Sequence, residues 1–191
     1  MTIDRTEQKE PGAAAPQAQV RLGPGGIGTG VVFDWALAVQ ILIEGAFFAL
    51  GTGPGSALAD KSVGLRLALV PLSLLAAAIL FIQGEALRRG RRVAWMIQIV
   101  ANALLVIAGL LGIPDTITSL EKPRFGGLVT TLVLVIISPL IVWLLTRKRT
   151  RAWIGRVSSA EARARHSGTW LVWIALWAII GGAAIAFAGY Y

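Results

Sequence analysis

Five apolar runs, each long enough to cross a lipid bilayer, dictate what this chain can fold into. They lie near Val31–Leu50, Gly64–Gln83, Val93–Leu111, Leu128–Leu145 and Thr169–Gly189. A bilayer core of about 30 Å takes roughly 20 helical residues. Lipid offers no partner for backbone N–H and C=O groups, so an apolar span of this length satisfies its own by forming a helix. The expected fold is all-α, an integral membrane bundle of five transmembrane helices. The charged fraction agrees: 15% of the residues, where an ordinary soluble domain carries about 25%.

Charge placement orients the bundle. The net charge is +8, which in a soluble chain suggests a nucleic-acid partner. Here most basic residues fall in alternate segments: the N-terminal tail, the connector holding Arg88, Arg89, Arg91 and Arg92, and the connector after the fourth run. The last holds Arg147, Lys148, Arg149, Arg151, Arg156, Arg163 and Arg165. The other two connectors contribute only Lys61, Arg66, Lys122 and Arg124. This alternation is the positive-inside pattern. It predicts a cytoplasmic N-terminus, an outer C-terminus and no nucleic acid. Arg88, Arg89, Arg91, Arg92, Arg147, Lys148, Arg149 and Arg151 are expected to touch anionic lipid head groups, at about 1 kcal/mol per basic residue near the surface.

Residue types also exclude chemistry. The chain has no cysteine and one histidine, His166, so disulfides, thiolate nucleophiles and Cys- or His-clustered metal sites are out. No cofactor is expected. The first thirty residues mix acids and bases with Ala, Pro, Gln and Gly, and read as a mobile cytoplasmic tail without an apolar leader. Gly23 to Gly28 matches G-x-G-x-x-G, but it lacks the preceding strand and soluble helix that the dinucleotide fingerprint requires. It reads as a flexible entry to the first span.

Outside the spans, Gly51–Ser62 is a Gly/Pro turn region. The loop 112–127 offers Asp115-Thr-Ile-Thr118 as a cap for a short surface helix, with Glu121, Lys122 and Arg124 beyond. Residues 149–166 are expected to lie at the membrane surface as an amphipathic segment. There Trp153, Ile154 and Val157 share a face, Ser158-Ser-Ala-Glu161 forms a capping box, and Gly168 marks a bend. In the fifth run, Gly182/Ala186 and Ala184/Ala188 have the small-xxx-small spacing that lets helices approach closely in lipid. Trp170 is placed as an interfacial anchor. Pro71 and Pro139 are expected to fix kinks.

Few polar side chains enter the apolar zone. Gln40 and Glu44, and likewise Gln98 and Asn102, are four apart and so share a helical face. Counting from the run starts puts Gln40 and Asn102 level near the midplane, with Glu44 about 6 Å further out. If the first and third helices touch, these four form one polar seam and are the ligand or proton-path candidates. Inserting Glu44 costs about 2.5–3.5 kcal/mol. The eleven Val, Ile, Leu and Phe residues of its run return about 3–7 kcal/mol, so the acid is tolerable without a function. Asp34 is placed at the cytoplasmic edge, within reach of water, and Glu85 beside the Arg88–Arg92 cluster.

The segments RGRRVAW and TRKRTRAWIG resemble uncharacterised small multi-pass membrane proteins of high-GC bacteria such as actinobacteria, over roughly Gly64 to Gly155. The resemblance implies a bacterial inner membrane and brings no functional residues with it. The expected role is non-enzymatic: an accessory, scaffolding or small-ligand-binding subunit, partnered by other membrane subunits or by a second copy. No nucleophile–base–orienter set is present. The rival is a small proton- or ion-coupled transporter using Glu44. A third reading, a lipid-acting enzyme, has only Asp115 and Glu121 to support it.

Overall fold

The computed structural model describes residues 24–52, 62–119 and 125–188. Most of the tail, the loop acid and base Asp60 and Lys61, and Glu121, Lys122 and Arg124 lie outside them, as do the side chains of Asp115 and Thr118. Among the described residues, five helices are long and apolar enough to cross a membrane. They are α1 (Gly25–Leu50), α2 (Val63–Arg88), α3 (Arg92–Leu111), the fourth crossing and α9 (Thr169–Ala188). The fourth crossing is composite: α5 (Phe125–Leu132), a π turn (Val133–Ile137) and α6 (Ser138–Thr146). Three short helices connect them: α4 (Ile113–Ser119), α7 (Lys148–Ile154) and α8 (Ser159–Arg165).

The first crossing begins six residues before the apolar run. Gly25 to Gly30 are helical, and Gly26, Ile27, Gly28, Gly30 and Val31 are buried. The reading of 25–30 as tail is therefore corrected. A glycine-rich sequence disfavours a helix on its own, but here it lets neighbours press against the backbone. A Cβ on Gly26 would stand 2.9 Å from the Leu144 carbonyl oxygen, and one on Gly30 would stand 2.8 Å from the Leu87 side chain. Tertiary contact overrides propensity. The second crossing likewise runs five residues past Gln83 to Arg88.

Helix α1 is the centre of the bundle, with α2 along one side and α9 along the other. The third and fourth crossings pair with each other and form a second layer against it. The α9 face uses one of the two small-residue stripes: Ala178, Gly182 and Ala186 are buried, whereas Ala184 is exposed. A Cβ on Gly182 would lie 2.4 Å from the Ala36 carbonyl oxygen, so the helices touch backbone to backbone. Pro139 follows the π turn, where proline's missing N–H and its ring loosen the helical ladder. Gly109 of α3 packs against that turn, its would-be Cβ 2.6 Å from Leu134 Cβ.

Helix ends are closed locally. Gly51 and Gly90, at φ 67° and 71°, terminate α1 and α2 with the paired backbone bonds of a Schellman motif, such as Arg91 N–H to Ala86 O at 3.1 Å. Ser158 Oγ accepts from the Glu161 N–H at 3.2 Å and caps α8, as its sequence predicts. Gly168, at φ 59°, makes the bend before α9. At the end of α6, the Trp95 indole N–H donates to Leu145 O at 3.0 Å and the Thr150 hydroxyl to Leu144 O at 2.9 Å. Side chains thus serve carbonyls that the helix leaves unpaired.

The two arginine-rich connectors meet at one end of the bundle. Arg88 Nη1 donates to His166 O at 2.6 Å, and His166 Nδ1–H donates to Arg88 O at 3.0 Å. His166 is buried, stacked on Trp170 at 4.3 Å and tilted against Trp153 at 5.3 Å. Trp170 therefore braces this latch. Arg88 is buried too, and its guanidinium also holds Glu85 at 2.6 Å. Its assignment to lipid head groups is corrected: it is consumed inside the protein. Arg89 also pairs with Glu85, whereas Arg91, Arg92, Lys148, Arg149 and Arg151 are exposed. Arg147 is exposed with its guanidinium 3.8 Å above the Trp143 ring.

Two outcomes are expected. Gly182→Leu must push α9 off α1 and lowers stability by about 1–3 kcal/mol, while Ala184→Leu stays within about 0.5 kcal/mol. Thermal unfolding in detergent checks this, and equal losses refute the assigned face. Burial holds the His166 imidazole below its usual value of 6.5, with the Arg88 and Arg165 charges adding to the effect. The folded state thus binds its proton less readily than the unfolded chain. The latch contribution is full above about pH 6.5 and is lost as pH falls through the lower folded-state value. Thermal stability should drop on acidification below pH 6.5 in the parent and stay flatter in His166→Gln.

Candidate functional site

The polar side chains between the helices gather around Asp34. Gln98 Nε2 on α3 donates to Asp34 Oδ1 on α1 at 2.7 Å. Gln83 Nε2 on α2 donates to Gln98 Oε1 at 3.3 Å and to Ala94 O at 2.8 Å. Asn102 Nδ2 donates to Gln98 O at 2.9 Å. One carboxyl thus joins three helices through two amides. Asp34, Gln98 and Asn102 are 3%, 2% and 1% exposed, so the site is closed to bulk water. Asp34 at the water-accessible edge is corrected. The apolar run starts at Val31, but the helix and its packing start at Gly25.

Glycines make the site possible. A Cβ on Gly84 would stand 2.5 Å from Trp35 Nε1 and 3.3 Å from Asp34 Cβ, so α1 reaches α2 only because that position is bare. The Trp35 indole N–H donates to Phe81 O at 3.3 Å across the same contact. Gly30, one turn before Asp34, leaves the space next to Gln98.

Asp34 Oδ2, Asn102 Oδ1 and Ser138 Oγ are buried and without a hydrogen-bond partner among the described residues. Two of them lie at one level. Trp95 bonds to Leu145 across the antiparallel α3–α6 pair, and seven residues along each helix bring Asn102 opposite Ser138. Buried polar atoms in lipid are costly unless paired, so these three groups are where a proton, a water or a polar ligand gains most.

The expected seam of Gln40, Glu44, Asn102 and Gln98 does not form. Gln40 Nε2 donates to Glu44 Oε1 at 2.9 Å on its own helix. The Asp34–Gln98 bond sets the register, which leaves Gln40 about 3 Å and Glu44 about 9 Å beyond the level of Asn102. Helix α1 still presents Gln40 towards the third and fourth crossings, but its amide N–H is spent on Glu44. Gln40 lines a cavity of about 130 Å³ with Phe33, Leu37, Leu105 and Thr130, and Glu44 is half-buried. Asp34 and Gln83 were the residues missed. The signal for them is the small-residue pairing of Gly26 with Gly30, which extends the first helix towards its N-terminus and carries Asp34 inward.

Among the described residues, no group of three or more His, Asp or Glu side chains is placed to hold a metal ion. No protein-family model, curated protein or solved structure matches the chain.

Replacing Asp34 or Gln98 alone by Leu strands the other polar group and costs about 1–3 kcal/mol each. The double variant should lose less than the sum, with a coupling of about 0.6–1.7 kcal/mol. Glu44 and Asn102 should show none. Unfolding of the four single variants and two doubles decides it, and additivity at Asp34 and Gln98 overturns the clamp.

Proposed function

We propose that this chain is a non-enzymatic multi-pass protein of a bacterial inner membrane, acting as an accessory or scaffolding subunit of a larger assembly. One observation carries the reading: α2 is the crossing least covered by its neighbours. It packs along α1, and Leu65, Leu72, Leu75, Ile79 and Ile82 leave the opposite side apolar and exposed along its length. In addition, the polar groups of the core bond helix to helix around Asp34, which is the work of a joint. Lipid covers such a face, and so does another membrane helix; a subunit uses it for the second. Positive-inside orientation puts the arginine-rich end in the cytoplasm, where Arg91, Arg92, Arg147, Lys148, Arg149 and Arg151 meet anionic head groups.

Proton-coupled transport is the second reading, and it also has an observation of its own. Asp34 Oδ2 is buried without a partner among the described residues, and an intramembrane acid is a functional candidate by default. The titrating group of this reading is Asp34 in place of Glu44, because Glu44 is bonded within its own helix.

Purification in mild detergent separates the two. A subunit elutes with a second membrane polypeptide or as a homo-oligomer, and a cysteine placed at Ile79 cross-links to it; a clean monomer overturns this reading. A transporter moves protons into vesicles loaded with a pH-sensitive dye, and Asp34→Asn stops it while the protein stays folded. Absence of proton movement in the parent protein sinks transport.

A further inference from the structure

Two cavities at the arginine-rich end share one residue and differ in chemistry. The larger, about 590 Å³, is lined by Arg149, Arg156 and Arg165 together with Trp153 and Glu161. Arg165 is engaged with Glu161. Arg149 and Arg156 are exposed and have no carboxylate partner among the described residues. Three cations around one acid leave the cavity positive.

The second cavity, about 360 Å³, is a groove between α1 and α9. Its floor is Gly25 and Gly28, its walls are Val32, Ile174, Trp170 and Trp177. A Cβ on Gly25 would meet nothing within 4 Å, whereas one on Gly28 would rest 3.4 Å from Trp170 and 3.5 Å from Ile174, so the floor is open at Gly25 and narrows at Gly28. The Thr29 hydroxyl is turned to the Gly25 carbonyl at 3.1 Å, which leaves an apolar surface. From Pro24 to Val32 the groove runs about 12 Å along the helix, from the arginine-rich end towards the bilayer interior. Pro24 lines both cavities.

We propose that this end of the bundle is a binding site for one anionic phospholipid, with its phosphate among Arg149, Arg156 and Arg165 and an acyl chain in the groove between α1 and α9. The phosphate supplies what the first cavity lacks: negative charge for two guanidiniums without a carboxylate partner among the described residues, whose planar donors suit phosphate oxygens. A free phosphate answers only that half. A neutral lipid answers only the groove. Pro24 lines both, so the two cavities adjoin. Lipid tails are apolar before and after entering the groove, so the chain contributes fit and orientation, and the arginines set selectivity. Glu161 sits at the rim with its charge held by Arg165, so it tempers the attraction without cancelling it. The site stands whether the protein is a subunit or a transporter.

Native mass spectrometry of the purified full chain tests it, with phosphatidylglycerol, phosphatidylcholine and inorganic phosphate added separately. One phosphatidylglycerol per chain should be retained in preference to phosphatidylcholine. Arg149→Ala with Arg156→Ala should weaken retention about thirtyfold. Gly28→Leu should weaken it by obstructing the groove, and Thr29→Phe does the same from the exposed rim should Gly28→Leu fail to fold. Equal retention of both lipids overturns the proposal, as does indifference to the arginine pair or to groove filling in a folded variant. Inorganic phosphate displacing the lipid at equal concentration also overturns it, since the site is then an anion pocket alone.

Discussion

Lipid tails are as apolar as leucine, so nothing in the hydrocarbon layer presses these helices together. The bundle depends instead on the backbone of α1 being reachable. Gly26 admits the Leu144 backbone, Gly30 admits Leu87, and on the facing helices Gly84 and Gly182 admit Trp35 and the Ala36 carbonyl. Each of these contacts needs a missing side chain, and van der Waals attraction rewards it only at that close range. The pairing of α1 with α2, the docking of α9 and the placement of Asp34 all follow from this one constraint.

Close approach also explains why the polar groups sit where they do. Once α1 is bare enough to meet α2 and α3, Asp34 falls opposite Gln98, and Gln83 closes the set from the third side. Further along α1, Gln40 bonds to Glu44 within one helix. Both arrangements honour the rule that lipid supplies no hydrogen bonds. Only the first couples separate helices, and beside it the buried Asp34 Oδ2, Asn102 Oδ1 and Ser138 Oγ have no hydrogen-bond partner among the described residues.

At the arginine-rich end, charge performs two different tasks that look alike in the sequence. Arg88 is taken inward by Glu85 and the His166 carbonyl, so it ties the second and fourth connectors together. Arg149 and Arg156 stay outside, exposed on the wall of a cavity. The latch gives the connector of α7 and α8 a definite shape, and that shape is what turns scattered surface arginines into a concave site next to the glycine groove.

Much of the architecture was legible from the amino acids alone, because membrane insertion is governed by local quantities. Length and hydropathy of a run decide whether it spans; Ser158 before Glu161, Gly168 and the Gly182/Ala186 spacing act within a turn or two of themselves. Helix starts were legible only where a polar residue marks them. The glycines before Val31 hid the true beginning of α1, since their contribution is to neighbours far away in the chain. Which of several like residues is used was decided by tertiary structure. Asp34 was chosen over Glu44, Ala178 with Gly182 and Ala186 over Ala184 and Ala188, and Arg88 over Arg91. The physical reason is common to all three: periodicity defines the faces of a helix, but the partner that covers a face comes from another helix, and its rotation and depth are settled only when both are packed.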